Sequence, residues 1–130
     1  IRAGAVQVAP SVPSFFTVDR TGAGPAAALD AFDFSGAPFR ARRANGEPNI
    51  ISVYGTGFGA DAASGNVADQ VRGTLNGNEV RVDYAGPAPG FPGLNQVNIV
   101  LPANIAPGNY NLVVTRNNVP GNTVVLQIRQ

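Results

Sequence analysis

Four residue types with distinctive chemistry are missing from this 130-residue sequence: cysteine, histidine, lysine and tryptophan. Without cysteine there is no disulfide, no thiolate metal site and no cysteine nucleophile. Without histidine and lysine, the usual Ser/His/Asp, Cys/His and Ser/Lys catalytic sets cannot be assembled. The lack of a cysteine pair and of tryptophan also excludes an antibody-type domain. Most hydrolase mechanisms are thereby excluded, and we expect the protein not to be an enzyme.

Charge is scarce as well. Charged residues make up 13% of the sequence, where about 25% is typical, and the net charge is +1. No strong field is available to attract nucleic acid or anionic lipid, and no apolar run approaches the roughly 18 residues of a membrane span. We therefore expect no nucleic-acid partner and no membrane insertion. The sequence begins at Ile1 rather than methionine, which fits an excised domain or an exported, mature product whose leader has been removed.

Glycine and proline are present in excess, with 16 and 11 residues. They interrupt short runs in which apolar and polar residues alternate, the pattern of half-buried strands. Asn76-Gly77-Asn78 gives the strongest hairpin signal between two such runs. Residues 26–34 are too short for an independent helix and are interpreted as extended. Further strands are predicted over residues 5–9, 14–18, 50–54, 71–75, 79–85, 96–101, 110–116 and 123–129.

The most distinctive stretch is residues 80–102. Two alternating runs flank a connection rich in proline and glycine that no helix could cross, and Phe91 is the predicted anchor of this connection. With the turn signals elsewhere, this predicts an all-β fold, an Ig-like antiparallel β-sandwich of about seven to nine short strands, with a small barrel as the alternative. We expect residues 1–10 to form an N-terminal extension strand and residues 11–130 to form a single sandwich domain.

Four blocks of sequence carry a resemblance that covers nearly the whole chain. They are APSVPSFFTVDRTGAGPAAAL at residues 9–29, VYGTGFG at 53–59, YAGPAPGFPGLNQVNIVLP at 84–102 and APGNYNLVV at 106–114. In order and spacing they resemble the Solibacter-type uncharacterised C-terminal domain, found at the ends of long secreted bacterial proteins. VYGTGFG is also similar to a motif of the Ig-like domains called IPT/TIG. The resemblance implies an exported domain, extracellular or at the cell surface, but no activity, because the family has none assigned.

The resemblance also bears on the N terminus. Family members usually carry further β domains upstream, and the segment formed by Ala5, Val6, Gln7, Val8 and Ala9 resembles the closing strand of such a domain. A strand without its own sheet can pair with an open sheet edge on a neighbouring subunit, because its main-chain donors and acceptors are unpaired. We therefore predict a structural or interaction module that self-assembles into a filament or surface layer by strand exchange. Pairing within its own domain is the alternative.

A module that binds polysaccharide or another cell-surface ligand is the alternative function, because exposed aromatic rings can stack on sugars. The candidate ligand-facing aromatics are Tyr54, Phe58 and Phe91, and Tyr84 is a further one. No cofactor is expected. The glycines of residues 55–59 would need a following helix and usually a lysine to hold phosphate, and the sequence supplies neither.

The carboxylates suggest two further hypotheses. A two-carboxylate glycosidase is formally possible, although no spacing selects a pair. A structural calcium ion would find oxygen ligands in residues 61–69 or in residues 30–33, although neither spacing matches a known calcium loop and surface turns are the default. The carboxylates are Asp19, Asp30, Asp33, Glu47, Asp61, Asp69, Glu79 and Asp83, with Asn66 beside Asp61 and Asp69.

The one basic cluster consists of Arg40, Arg42 and Arg43. Binding of RNA would require interleaved aromatic residues and a higher net charge. The cluster is better interpreted as a solvated edge that discourages wrong strand pairing, or as an ion-pair partner for an acidic loop on a neighbouring molecule.

Overall fold

Strands account for all the regular secondary structure in the computed structural model, which describes residues 14–57, 71–88 and 94–130. Within these ranges there is no helix, and so none long and apolar enough to span a membrane. The all-β prediction is confirmed. The described strands are β1 (Ser14–Phe15), β2 (Ala28–Asp30), β3 (Phe39–Arg40), β4 (Ile50–Thr56), β5 (Val71–Leu75), β6 (Asn78–Pro87), β7 (Asn95–Val100), β8 (Gly108–Arg116), β9 (Val119–Pro120) and β10 (Val124–Arg129).

These ten strands form one curled, mixed sheet in the order β1-β4-β7-β6-β5-β8-β10-β3, with β2 also paired to β4 and β9 to β8. The pairings are antiparallel except for β10 with β3, which is parallel. The prediction of a wholly antiparallel arrangement is therefore wrong at this edge. The number of strands also exceeds the predicted range, since a strand such as β9, with only two residues, leaves no alternating pattern in the sequence.

Strand β6 belongs to two ladders. Its residues 78–80 pair with β5, and its residues 81–87 pair with β7 on the other side. A register shift between Val82 and Tyr84 marks an irregularity of the kind that bends a strand and increases its twist. The sheet consequently curls along β6.

The inner side of the curl encloses a hydrophobic core. A Cβ atom added at Gly73 of β5 would lie 3.5 Å from Cδ1 of Ile99 on β7, although strands that flank a third one are about 10 Å apart in a flat sheet. Both ladders therefore contribute alternate residues to the same core. Its largest fully buried side chains are Phe15, Phe39, Ile51, Val53, Val97, Ile99, Leu101, Leu112, Val114, Val124 and Leu126.

The longer predicted strands and the hairpin agree with the structure. Asn76 and Gly77 have φ values of 49° and 84°, as a two-residue turn with both φ positive requires. The prediction for residues 26–34 is correct only over Ala28–Asp30, because the side chain of Asp30 accepts a hydrogen bond from the N–H of Phe32 and turns the chain. The predicted strand of residues 5–9 and the predicted loop anchor Phe91 lie outside the described residues.

The outer edge of β1 is closed by a side chain instead of a strand. The N–H of Phe15 donates to Oδ1 of Asn122 at 2.7 Å, and Nδ2 of Asn122 donates to the carbonyl oxygen of Phe15 at 3.0 Å. The same Nδ2 donates to the carbonyl oxygen of Gly22 at 2.7 Å. Nearby, Pro25 forms a parallel bridge with Val125 of β10. The chain between β1 and β2 thus links the two ends of the sheet.

Strands β1 and β4 approach each other closely at Gly55. A Cβ atom at this position would lie 2.9 Å from Cα of Phe15 and would collide with the main-chain oxygen of Ser14. Both neighbouring atoms belong to the backbone, so the strands would have to separate. This explains why a glycine interrupts the β-branched and aromatic residues of β4.

We expect Gly55→Ala to lower the free energy of unfolding by about 1–3 kcal/mol, because overpacking against a backbone forces strands apart. Gly36→Ala is the matched control, since a Cβ atom there meets nothing within 4 Å. Urea denaturation of both variants measures the difference. Equal stability of the two variants would contradict the close approach.

Candidate functional site

The outward face of β2, β4 and β7 carries the candidate site. Leu29, Ser52 and Asn98 lie opposite one another in one row across these strands, and Tyr54 and Gln96 are paired in the adjacent row. Their neighbours Ile51 and Val53 point into the core instead, because successive residues of a strand face opposite sides of the sheet. Polar and aromatic side chains therefore alternate with core residues along the same strands.

Three polar side chains on this face form a hydrogen-bonded network. The hydroxyl of Ser52 donates to Oδ1 of Asn98 at 2.8 Å. Nε2 of Gln96 donates to the same Oδ1 at 2.9 Å and to the hydroxyl oxygen of Ser52 at 3.3 Å. Each group is held by the other two, so the orientation of the two amides is fixed by the protein itself.

Tyr54 lies beside this network and between two shallow grooves. One groove, of about 410 Å³, is formed by the polar network together with Leu29, Ala31 and Phe34; we call it the polar groove. The other, of about 600 Å³, is mainly apolar and includes Val18 and Ala27. Tyr54 and Leu29 line both. Partial burial raises the pKa of Tyr54 above its usual value, so the phenol is neutral at physiological pH.

Phe34 forms the rim of the polar groove. Its side chain is 70% exposed, and its φ of 61° lies in the left-handed region that bulky residues rarely adopt. Such a conformation costs about 1 kcal/mol or more and persists only where the surroundings impose it. The protein therefore holds an exposed aromatic ring beside the groove in a strained backbone conformation.

The loop that carries Phe34 is fixed by the carboxylate of Asp30, which is 1% exposed. Oδ1 of Asp30 accepts from the N–H of Phe32 at 2.8 Å, and Oδ2 accepts from Nδ2 of Asn49 at 2.8 Å. Nη2 of Arg40 lies 3.7 Å from the same Oδ2 and 3.2 Å from Oδ2 of Asp33. The N–H of Phe34 itself donates to the carbonyl oxygen of Asp30 at 3.0 Å. The strained position of Phe34 is thus imposed by a buried polar cluster.

This cluster also bears on the hypotheses of a calcium site and a glycosidase. The guanidinium of Arg40 lies between Asp30 and Asp33, where a cation would have to bind, and the described residues contain no group of three acidic side chains suited to a metal. Hydrogen bonds from Ser35 hold the pKa of Asp33 below its usual value, whereas a glycosidase acid needs a raised one. Asp61, Asn66 and Asp69 lie outside the described residues.

The three arginines of the basic cluster have partners within their own chain. Besides the contacts of Arg40, Arg42 donates to the carbonyl oxygens of Gly46 and Ala103. Arg43 forms an ion pair with Glu47 at 3.0 Å, and its guanidinium lies 4.4 Å from the centre of the Phe32 ring. The cluster therefore closes local loops, and Phe32 is covered on one side by Arg43.

Of the aromatic residues predicted to face a ligand, Tyr54 lies in the candidate site. Tyr84 is on β6, where its hydroxyl donates to the carbonyl oxygen of Pro87 at 2.6 Å. Phe58 and Phe91, like residues 5–9, are outside the described part of the chain. The sequence reasoning did not single out Phe34 or the network of Ser52, Gln96 and Asn98. Their polar members do occupy alternate positions within predicted strands, which is the signal that marks an outward face.

Comparison of the sequence with protein-family models and with curated proteins finds no match. The resemblance to the Solibacter-type domain and to IPT/TIG domains accordingly stays a prediction. The interpretation of the site rests on its geometry.

We expect Asp30→Asn to lower the free energy of unfolding by about 3 kcal/mol, because a buried amide N–H would then face Asn49 and Arg40, which are both donors. Asp33→Asn, at an exposed position of the same cluster, should cost much less, because solvent screens an exposed ion pair. Chemical denaturation compares the two variants. Similar losses from both would show that burial of Asp30 is not what stabilises the loop.

Proposed function

We propose that this chain is a non-enzymatic interaction module that binds polysaccharide on the outward face of β2, β4 and β7. The observation that carries the proposal is the polar groove, where the ring of Tyr54 lies beside a fixed amide and hydroxyl network and Phe34 is held exposed at the rim. This extends the predicted role of Tyr54 to a set of neighbouring residues.

The chemistry of a sugar matches such a surface. A pyranose ring has apolar C–H faces that pack on aromatic rings and a rim of hydroxyl groups that both donate and accept hydrogen bonds. Ligand sites commonly combine apolar or aromatic walls with a few fixed polar groups. Tyr54 and Phe34 supply the walls, and Gln96 and Asn98 supply the polar groups.

We further propose an Ig-like sandwich arrangement and an exported location. Two ladders that share one core, an edge strand parallel to the last strand, and the switch of β6 between the ladders all support the sandwich. The resemblance of residues 9–29, 53–59, 84–102 and 106–114 to a domain of secreted bacterial proteins supports the location. At such a location, the polysaccharides of cell surfaces would be accessible to the domain as ligands.

We expect Tyr54→Ala and Phe34→Ala each to weaken glycan binding about tenfold or more, which corresponds to about 1.4 kcal/mol of lost contact. Phe32→Ala is the matched control, since Phe32 lies in the same loop but its ring is paired with Arg43. A glycan array identifies ligands, and titration calorimetry measures the variants. An intact protein that binds no glycan, or equal losses from Phe32→Ala and Phe34→Ala, would contradict the proposal.

One observation favours a second function, self-assembly through the N-terminal strand. Pro10 and Pro13 separate residues 5–9 from β1 in the sequence, and proline interrupts a strand ladder. This separation supports pairing of residues 5–9 with an open sheet edge on another copy rather than as a continuation of β1.

If strand exchange operates, deletion of residues 1–9 should abolish assembly of the intact chain. Val6→Pro with Val8→Pro should do the same at full length, because proline removes the N–H groups that a ladder requires. Light scattering and electron microscopy report the size and form of any assembly. Unchanged assembly of the shortened chain, or an intact chain that is monomeric at high concentration, would refute this second function.

A further inference from the structure

We infer that the polar groove selects neutral sugars and holds two adjacent ring hydroxyls between the amides of Gln96 and Asn98. This inference deepens the proposed polysaccharide binding and rests on it. Two observations support the inference: the hydrogen-bonding groups that the network leaves available to a ligand, and the lack of charged side chains among the described residues that line the groove.

Hydrogen bonds within the network engage one polar atom of each amide, Oδ1 of Asn98 and Nε2 of Gln96. Oδ1 of Asn98 accepts from both Ser52 and Gln96, and Nε2 of Gln96 donates to both Asn98 and Ser52. A primary amide has two N–H donors and one carbonyl acceptor. What remains for a ligand is therefore the Nδ2 donor group of Asn98 and the Oε1 acceptor of Gln96. Reversing both amides together would keep the internal bonds and again leave one donor and one acceptor.

A donor beside an acceptor is the complement of two neighbouring hydroxyl groups. The amide N–H₂ donates to one hydroxyl oxygen, and the other hydroxyl donates its hydrogen to the amide carbonyl. The two amides are close enough to bond to each other at 2.9 Å, so their free ends lie near one another. Gln96 is also the cross-strand partner of Tyr54, so a ring stacked on Tyr54 brings its hydroxyl rim to this pair.

Among the described residues that line the groove, none supplies a cation for an acidic sugar. Its lining residues are Leu29, Ala31, Phe34, Ser52, Tyr54, Gln96 and Asn98, none of which is charged at physiological pH. The nearby arginines Arg40 and Arg43 are already paired with carboxylates. A uronate or sulfate group would give up its hydration without gaining an ion pair, which is unfavourable. Neutral hexose and pentose polymers are the ligands that fit.

The test uses the intact chain and matched panels of soluble polysaccharides, neutral polymers on one side and uronate-containing or sulfated polymers on the other. We expect binding to neutral polymers only, with an affinity that changes less than twofold between low salt and 0.5 M salt. At 0.5 M salt the Debye length falls to about 4 Å, so contacts driven by charge would weaken whereas hydrogen bonds between neutral groups would not. Asn98→Asp should weaken binding at least tenfold, because aspartate keeps the acceptor used by Ser52 and Gln96 but has no donor for the ligand.

Gln96→Glu gives an independent readout. Glutamate cannot donate to Asn98, so Asn98 turns its N–H₂ group to the glutamate, and the ligand again meets two acceptors and no donor. Asn109→Asp, an exposed position on β8, controls for added charge and should bind as the unaltered protein does. Preference for acidic polymers, or unchanged binding by Asn98→Asp and Gln96→Glu while Tyr54→Ala loses binding, would overturn this inference and leave the proposed function standing. If the unaltered chain binds no glycan, or binds peptides and no glycan, both this inference and the proposed polysaccharide binding are wrong.

Discussion

The carboxylate of Asp30 is buried where β2 ends, and the groups that bond to it come from different parts of the chain. Asn49, just before β4, donates its side-chain amide, and the main-chain oxygen of Asn49 accepts from Leu101 just after β7. Arg40 of β3 lies against the same carboxylate. The ends of the strands that form the groove, and the loop that presents Phe34, are thus arranged around one buried group that does not itself line the groove.

Several charged side chains of the described surface form ion pairs away from the groove. Arg72 pairs with Glu79 across the β5–β6 hairpin, and Arg81 with Asp83 along β6, while Arg43 pairs with Glu47 in a loop. These exposed pairs add little stability individually. The outward face of β4 and β7 instead carries amides, a hydroxyl and an aromatic ring. Hydrogen bonds of neutral amides and hydroxyls are directional and depend little on salt.

The longer strands were predictable because each spans enough residues for alternation to be visible, as in β7 and β10. The bounds of the short strands β1 and β2 were predicted too long, and β9 was not predicted, since two or three residues carry no period. Tyr54 was a candidate ligand-facing aromatic from the sequence and lies on the outward face of β4. Asp30 was interpreted as a loop carboxylate, because nothing in the sequence shows that Asn49 meets it 19 residues later. Phe34 was not predicted as a site residue for a similar reason. Its exposed position depends on a left-handed backbone conformation that sequence patterns do not associate with phenylalanine.

The shallowness of the two grooves that meet at Tyr54 limits how strongly a single domain can hold a ligand. A site that contacts one or two sugar rings through two aromatic walls and a pair of amides offers only a few kcal/mol after the loss of translational freedom, so its occupancy is brief. Polymers present the same sugar many times, and several copies of such a domain on one surface would raise the effective concentration of each site for its neighbour's ligand. Adhesion by this fold would then be a collective property of repeated weak contacts, reversible at each site and durable across the array.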